Sequence, residues 1–304
     1  MRRRLFLASS LATLPAVASP KRPSRERIRV PVQGEDLNRA SFKVLVDGDP
    51  ARIVRVQGPS DDLMILLVLD LTGNVAFADD ARQTLAAQIQ ALPDNVWIGL
   101  LKAQDALEVL VDPTPVRGRI IEALHAYPVA GKAGLLDTIE SAARLGDSLL
   151  NRTSPRIALC YITDGSIYNY REDFTNPVIN SSDSRDLSRR FPDALVREKI
   201  LKVGTSLGAF QTPFFFVHLD FRSDAINQAY QNGLAQLAVQ TGGEGAFCRS
   251  AAEIPEYVEK IMATIRNHWS LTVEVAASKS TIQVSVENGD RSLTSRRRFA
   301  LRDR

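Results

Sequence analysis

Two apolar runs restrict what this chain can fold into. Leu63–Leu71 reads LMILLVLDL and Arg156–Thr163 reads RIALCYIT, each with a single charged residue. A strand that is apolar on both of its alternating faces has to be covered on both. That is the situation of a central strand in a parallel sheet with helices on either side. The segments around the two runs supply such helices. Ala78–Leu92 has helical spacing and stops at Pro93. Trp97–Ala103 reads as a strand and Ala106–Val111 as another, joined to it through Gln104-Asp105. Val116–Tyr127 and Leu135–Leu150 are helical. They are followed by a helix over Ala194–Phe210, a buried strand over Pro213–Leu219 and a helix over Ile226–Gln240 that Gly242-Gly243 ends. Gly245–Cys248 is a short strand and Ile254–Trp269 the last helix. This alternation predicts an α/β fold with a doubly wound, mostly parallel, Rossmann-like sheet.

The two ends of the chain follow a different pattern. Ile28–Val32, Ser41–Val46, Arg52–Val56, Leu271–Ala276, Thr281–Glu287 and Arg297–Leu301 read as short strands. Val44, Val46, Leu271, Val273 and Val275 alternate with polar residues, as in a sheet with one wet face. Asp47-Gly48 supplies a hairpin turn. The N- and C-terminal segments are therefore expected to pair into a small β-domain beside the α/β domain. The expected division is a leader over 1–18, an N-terminal β-segment over 19–62, the α/β domain over 63–269 and a C-terminal β-segment over 270–304.

Residues 1–20 read MRRRLFLASSLATLPAVASP. A basic start, an apolar stretch too short to span a bilayer and the small residues Ala16 and Ala18 predict an export signal cut after Ala18. Arg3-Arg4-Leu5-Phe6-Leu7 resembles a twin-arginine signal, with an ordinary secretory signal as the alternative. The expected location is periplasmic or secreted, with no membrane span. The formal charge is +3, from 38 basic and 35 acidic residues. Without Arg2, Arg3 and Arg4 the two counts are equal, so no basic face and no nucleic-acid partner are expected. The two cysteines, Cys160 and Cys248, sit at apolar strand positions, which suits buried thiols. Export leaves a disulfide between them open. Trp97 and Trp269 read as core or domain-interface anchors, and Arg296-Arg297-Arg298 as a solvated strand end.

In an open parallel sheet, ligands bind in the crevice beyond the carboxyl ends of the strands. Asp70 closes the first apolar strand, in Asp70-Leu71-Thr72-Gly73-Asn74, and Asp164 closes the other, in Thr163-Asp164-Gly165. Two carboxylates with nearby hydroxyl and amide oxygens form a hard-oxygen set suited to Mg²⁺ or Ca²⁺. The stretch Ser166–Phe191 is one long polar loop leaving the same edge. Its residues Tyr168, Asn169, Tyr170 and Arg171 are candidates for a partner-binding rim.

From Ser41 to Leu301 these motifs resemble a von Willebrand factor type A domain, in particular a secreted bacterial group with a β-segment on either side. The resemblance implies a metal-ion-dependent adhesion site. Asp70, Thr72 and Asn74 match its Asp-x-Ser-x-Ser, with Thr72 keeping the hydroxyl and Asn74 offering a carbonyl oxygen. Asp164-Gly165 matches its Asp-Gly. In the loop Ala130–Asp137, Ala133 stands where the resemblance implies a threonine ligand, with Lys132 beside it, so the site is degenerate. The function implied is non-catalytic binding or adhesion to a protein or other extracellular ligand, through an acidic group on that partner where metal is bound. Two alternatives stand beside it. One is a phosphotransfer hydrolase resembling the haloacid dehalogenases, with Asp70 as nucleophile. Against it, Thr72 stands where the general acid would be, and a threonine cannot transfer that proton near neutral pH. The other is a metal-free interaction scaffold using the Tyr168–Arg171 loop.

Overall fold

The apolar runs become strands covered twice over. The computed structural model describes residues 25–172, 174, 192–276 and 280–301. Chain order begins with β1 (Arg25–Gln33), β2 (Phe42–Val46), β3 (Asp49–Pro50), β4 (Arg52–Gln57), β5 (Leu63–Asp70), α1 (Val75–Gln90), β6 (Val96–Lys102) and β7 (Glu108–Thr114). It continues with α2 (Arg117–His125), α3 (Leu135–Arg152), β8 (Arg156–Thr163), α4 (Pro192–Leu207), β9 (Phe214–His218), α5 (Ala225–Thr241), β10 (Gly245–Phe247) and α6 (Ile254–Asn267). The last strands are β11 (Trp269–Ala276), β12 (Thr281–Asn288), β13 (Arg291–Ser292), β14 (Thr294–Ser295) and β15 (Arg298–Ala300).

A six-stranded sheet runs in the order β10-β9-β8-β5-β6-β7. All its pairings are parallel except that of β6 with β7. Leu63, Ile65, Leu67 and Leu69 pack with α1, α2 and α6 on one face, and Met64, Leu66 and Val68 with α3, α4 and α5 on the other. β7 begins and ends later than its apolar alternation predicts. Two register shifts against β6 keep Asp112-Pro113-Thr114 in the ladder, and an edge strand tolerates the missing proline N–H. Gly242, at φ 85°, ends α5 in the left-handed conformation expected of it.

The two chain ends meet as expected. β1 pairs antiparallel with β11 from Arg25↔Ala276 to Val32↔Trp269, in a sheet ordered β14-β1-β11-β4. A second sheet, β13-β12-β2-β3 with β15 on β12, faces it. Ile28, Val30, Val44, Leu271, Val273, Val284 and Phe299 fill the core between them. Asp47 and Gly48 turn the β2–β3 hairpin at φ 52° and 92°.

Arginines tie this β-unit to the α/β layers. The buried Arg156 guanidinium donates to the carbonyls of Arg266 at 3.0 Å and of Pro59 and Asp61 at 3.2 Å, and also to that of His268. Arg29 donates to the carbonyls of Leu150, Thr153 and Pro155 at 2.9, 3.3 and 3.1 Å. Arg296 donates to the carbonyls of Gly208 and Phe210 and lies over the Phe299 ring. Arg296 is thus 0% exposed, not solvated, because the carbonyls ending the α4 turn need donors it can reach. Trp269 is buried over Gly58, as an interface anchor should be. Trp97 is not an anchor. It sits near the β7 edge of the sheet, beyond the cover of α3, and is 40% exposed. Cys160 and Cys248 are both buried free thiols. The expectation that no basic face exists is also corrected, because four exposed arginines gather on the outer face of β1 and β4. The expected leader, and most of the polar stretch after Glu172, lie outside the described residues.

Candidate functional site

β5 and β8 are parallel neighbours in the register Asp70↔Thr163, so Asp70 and Asp164 emerge at one edge of the sheet. Their carboxylates are held in different ways. Asp70 is 0% exposed. Its Oδ1 accepts the Gly134 N–H at 2.9 Å, and its Oδ2 accepts the Leu135 N–H at 3.3 Å and the Thr163 hydroxyl at 3.0 Å. Gly134 and Leu135 open α3, where backbone donors have no intrahelical partner. Burial raises the Asp70 carboxyl to about 7. The three donors oppose that shift and the nearby Asp164 charge adds to it.

Asp164 closes the loop after β5. Its Oδ1 accepts the Thr72 N–H at 2.6 Å and the Thr72 hydroxyl at 3.1 Å. Its Oδ2 accepts the N–H groups of Gly73 at 2.9 Å and Asn74 at 2.8 Å. Three successive backbone N–H groups form a concavity that binds anions, and here the chain's own carboxylate fills it. The Asn74 Oδ1 caps α1 by accepting the Phe77 N–H at 3.2 Å. A ligand role for Asn74 would have to break that cap. Asn169 donates to the Thr72 hydroxyl at 3.3 Å and accepts from Ser166 at 2.9 Å.

The structure thus gathers Asp70, Thr72, Asn74, Asp164 and Asn169 into one cluster, but it divides the expected rim. Tyr168 is exposed, with its hydroxyl donating to Asp224 at 2.9 Å, and Arg171 is exposed and paired with Asp105 at 2.9 Å. Tyr170 is corrected to a core residue. Its ring packs on Phe174 and Tyr230, and its hydroxyl meets that of Tyr230 at 3.0 Å and accepts the Leu136 N–H. The apolar wall between α3 and α5 draws the ring inward. Ala133 is buried and offers no side-chain oxygen. Its N–H donates to the Asn169 carbonyl at 3.0 Å. Lys132 is exposed beside it.

Two contributors escaped the sequence reading. Thr163 supplies a hydroxyl to Asp70, and its signal was a polar residue ending an apolar strand. Gly134 supplies a backbone donor, and its signal was a glycine directly before a helix. A Cβ at Gly134 would overlap the Ala103 carbonyl oxygen. Gly134→Ala is therefore expected to cost about 3 kcal/mol or more. Urea unfolding would show this as a lower midpoint, and a loss below about 1 kcal/mol would refute the close approach.

The donor set fits a hard cation in kind, with two carboxylates and the Thr72 hydroxyl, but it is sparse. Among the described residues no group of three or more His, Cys, Asp or Glu side chains is placed to hold a metal. Each carboxylate oxygen already has a protein donor, although a carboxylate offers about four lone-pair positions in all. A nucleophilic role for Asp70 requires a reachable oxygen, and both of its oxygens are enclosed.

The central sheet, with one antiparallel edge strand and acids ending β5 and β8, follows the expected winding. It is the doubly wound, mostly parallel sheet expected from the sequence. No family model and no curated protein matches the chain. Among solved structures, it is similar to the D319A mutant of the PilB minor pilin from Streptococcus sanguinis, at 12% identity and a TM-score of 0.48. That match covers 68% of this chain and 62% of the pilin. It is also similar to a von Willebrand factor type A protein from Catenulispora acidiphila, at 10% identity and a TM-score of 0.47, over 92% of this chain and 74% of that one. BatB from Bacteroides thetaiotaomicron is similar over 66% of this chain and 98% of its own, at 14% identity and a TM-score of 0.37. Likenesses this distant say nothing about an activity or a partner. Among the described residues, no helix is long and apolar enough to cross a membrane.

Proposed function

We propose that the chain is an exported, non-catalytic binding module that recognises a protein or other extracellular ligand at the crevice beyond β5 and β8. Exposed Val75, Lys132, Tyr168 and Arg171 rim that crevice. The observation that carries the reading is the gathering of Asp70, Thr72 and Asp164, from strands far apart in sequence, into one hydrogen-bonded cluster under this rim. Mg²⁺ or Ca²⁺ would be held there by Thr72 and Asp164, with Asp70 joining only on opening of its donor shell and Asn74 only on release of its cap. The missing oxygen at Ala133 and the ammonium of Lys132 make this a weak site. When bound, the ion supplies a Lewis-acidic position for an acidic group on the partner.

A second reading is favoured by the donors already on all four carboxylate oxygens. In it the acids are internal staples, and the rim binds without metal. Thermal melts at pH 8 with Mg²⁺, Ca²⁺ or EDTA separate the two. An ion at ten times its Kd is expected to stabilise the protein by about 1.4 kcal/mol, and Asp70→Asn is expected to abolish that gain. Indifference to millimolar ion in the unaltered protein would leave the second reading standing.

A further inference from the structure

The outer face of the sheet containing β1, β11 and β4 carries a concentration of charge that the near-neutral composition conceals. Along β1, Arg25, Arg27 and Arg29 alternate with the inward-facing Ile28 and Val30. On β4, Arg52 and Arg55 are three positions apart, a spacing that places residues of a regular strand on opposite faces. A bulge prevents this. Glu274 pairs with Arg52, Val273 with Ile53 and Thr272 with Arg55, so Val54 is the extra residue and both arginines share the outer face.

Among the described residues, Glu274 is the one acid in ion pairs with the exposed arginines of this face. Glu274 lies between the strands and takes Arg25 at 3.3 Å, Arg27 at 3.6 Å and Arg52 at 3.6 Å, so three guanidinium groups share one carboxylate. The three arginine side chains are 71, 66 and 72% exposed. Arg55 is exposed and has no acidic partner among the described residues. Burial and the Arg55 charge push the Arg29 guanidinium below its usual value, and the Asp147 charge opposes them.

We propose that this arginine face docks the protein on the anionic headgroup surface of a lipid bilayer. Charge complementarity is the argument for an anionic occupant, and the shape of the patch is the argument for a bilayer. The arginines are spread in two dimensions over strands two apart, and the cavity that Arg25 and Arg27 line beside α3 also carries Glu26, Asp147 and Glu274, acids that disfavour a polyanionic chain along it. Among the described residues, no aromatic ring stands between them to stack on bases. Among the described residues, Val54, 40% exposed, is the only large apolar side chain exposed there, so the patch lacks the apolar centre of a protein–protein interface. Guanidinium groups pair with phosphate in a bidentate manner, and each cation held near an anionic membrane strengthens partitioning about five-fold.

The test is co-sedimentation of the purified protein with vesicles of phosphatidylcholine containing 30% phosphatidylglycerol, and with pure phosphatidylcholine vesicles, at 50 and 300 mM NaCl. Binding is expected to the anionic vesicles only and to fall steeply with salt. The double variant Arg52→Gln/Arg55→Gln is expected to bind about 25-fold more weakly. Glu274→Gln, which removes the carboxylate that three of the arginines share, is expected to bind about five-fold more tightly. Thermal melts confirm that both variants fold. Failure to bind anionic vesicles, or binding that neither variant changes, overturns the proposal. Tighter retention by duplex DNA or heparin than by anionic vesicles at equal salt also overturns it, in favour of a polyanionic chain.

Discussion

Arg156→Ala is expected to lower the stability of the protein by about 4 kcal/mol or more. The guanidinium is buried where β8 begins, and it donates to four carbonyls: two from the segment after β4 and two from the end of α6. No carboxylate hydrogen-bonds the guanidinium, and the nearby Asp61 charge only partly offsets its burial, so most of the loss comes from the carbonyls. The truncated side chain leaves a cavity at the joint, and carbonyls that had a donor lose it. Each acceptor left dry costs about 1–3 kcal/mol. Arg156→Lys is expected to recover less than half of the loss, because one ammonium cannot reach carbonyls set around a planar fork. Urea unfolding followed by Trp269 fluorescence, in a Trp97→Phe background, reads the joint directly, since Trp269 lies over Gly58 beside it. A loss under about 1 kcal/mol would show that the joint is held by other contacts.

Asp70→Asn is expected to stabilise the metal-free protein at pH 8, on the order of 2–4 kcal/mol, and to change little near pH 4. Burial raises the folded carboxyl to about 7, against an unfolded value near 3.8. Between those values the folded state holds a proton that the unfolded state has released. The contribution of Asp70 therefore declines as pH rises from about 4 to about 7 and stays low above that. Asparagine has no charge to bury and keeps an oxygen for the Gly134 N–H. The buried imidazoles work in the opposite sense. Burial holds His218 down at about 4 and His268 at about 3. Their contribution is complete above the unfolded value near 6.5 and is lost as pH falls toward 4. Melts of both proteins in EDTA at pH 4.5, 6 and 8 should show the variant's advantage growing with pH. An advantage that is equal at all three values would mean Asp70 is already neutral, or already ionised, throughout.

The sheet was legible because its signal is strong and local. Runs such as Leu63–Leu71 admit few placements, and helical spacing between them sets the winding. Asp70 and Asp164 were legible for the same reason, since a carboxylate ending a buried strand has only the sheet edge to occupy. What escaped depended on partners remote in sequence. Tyr170 looks like a loop residue until Tyr230 and Phe174 surround it. Arg296 looks solvated until the carbonyls of Gly208 and Phe210 arrive beside it. The arginine face was hidden twice, once by a balanced total charge and once by a bulge at Val54 that no period-two reading anticipates.

Closing the β-unit with strands from both termini has a consequence for biogenesis. Arg25 meets Glu274 across 249 positions of chain, so a nascent polypeptide cannot complete this unit until β11 has been made. Until β11 emerges, β1 and β4 lack their shared neighbour and offer bare edges to any other strand. Such late-closing topologies fold slowly and depend on protection while they wait. Truncation before Trp269 should therefore yield an aggregating product, even with every strand of the six-stranded sheet present.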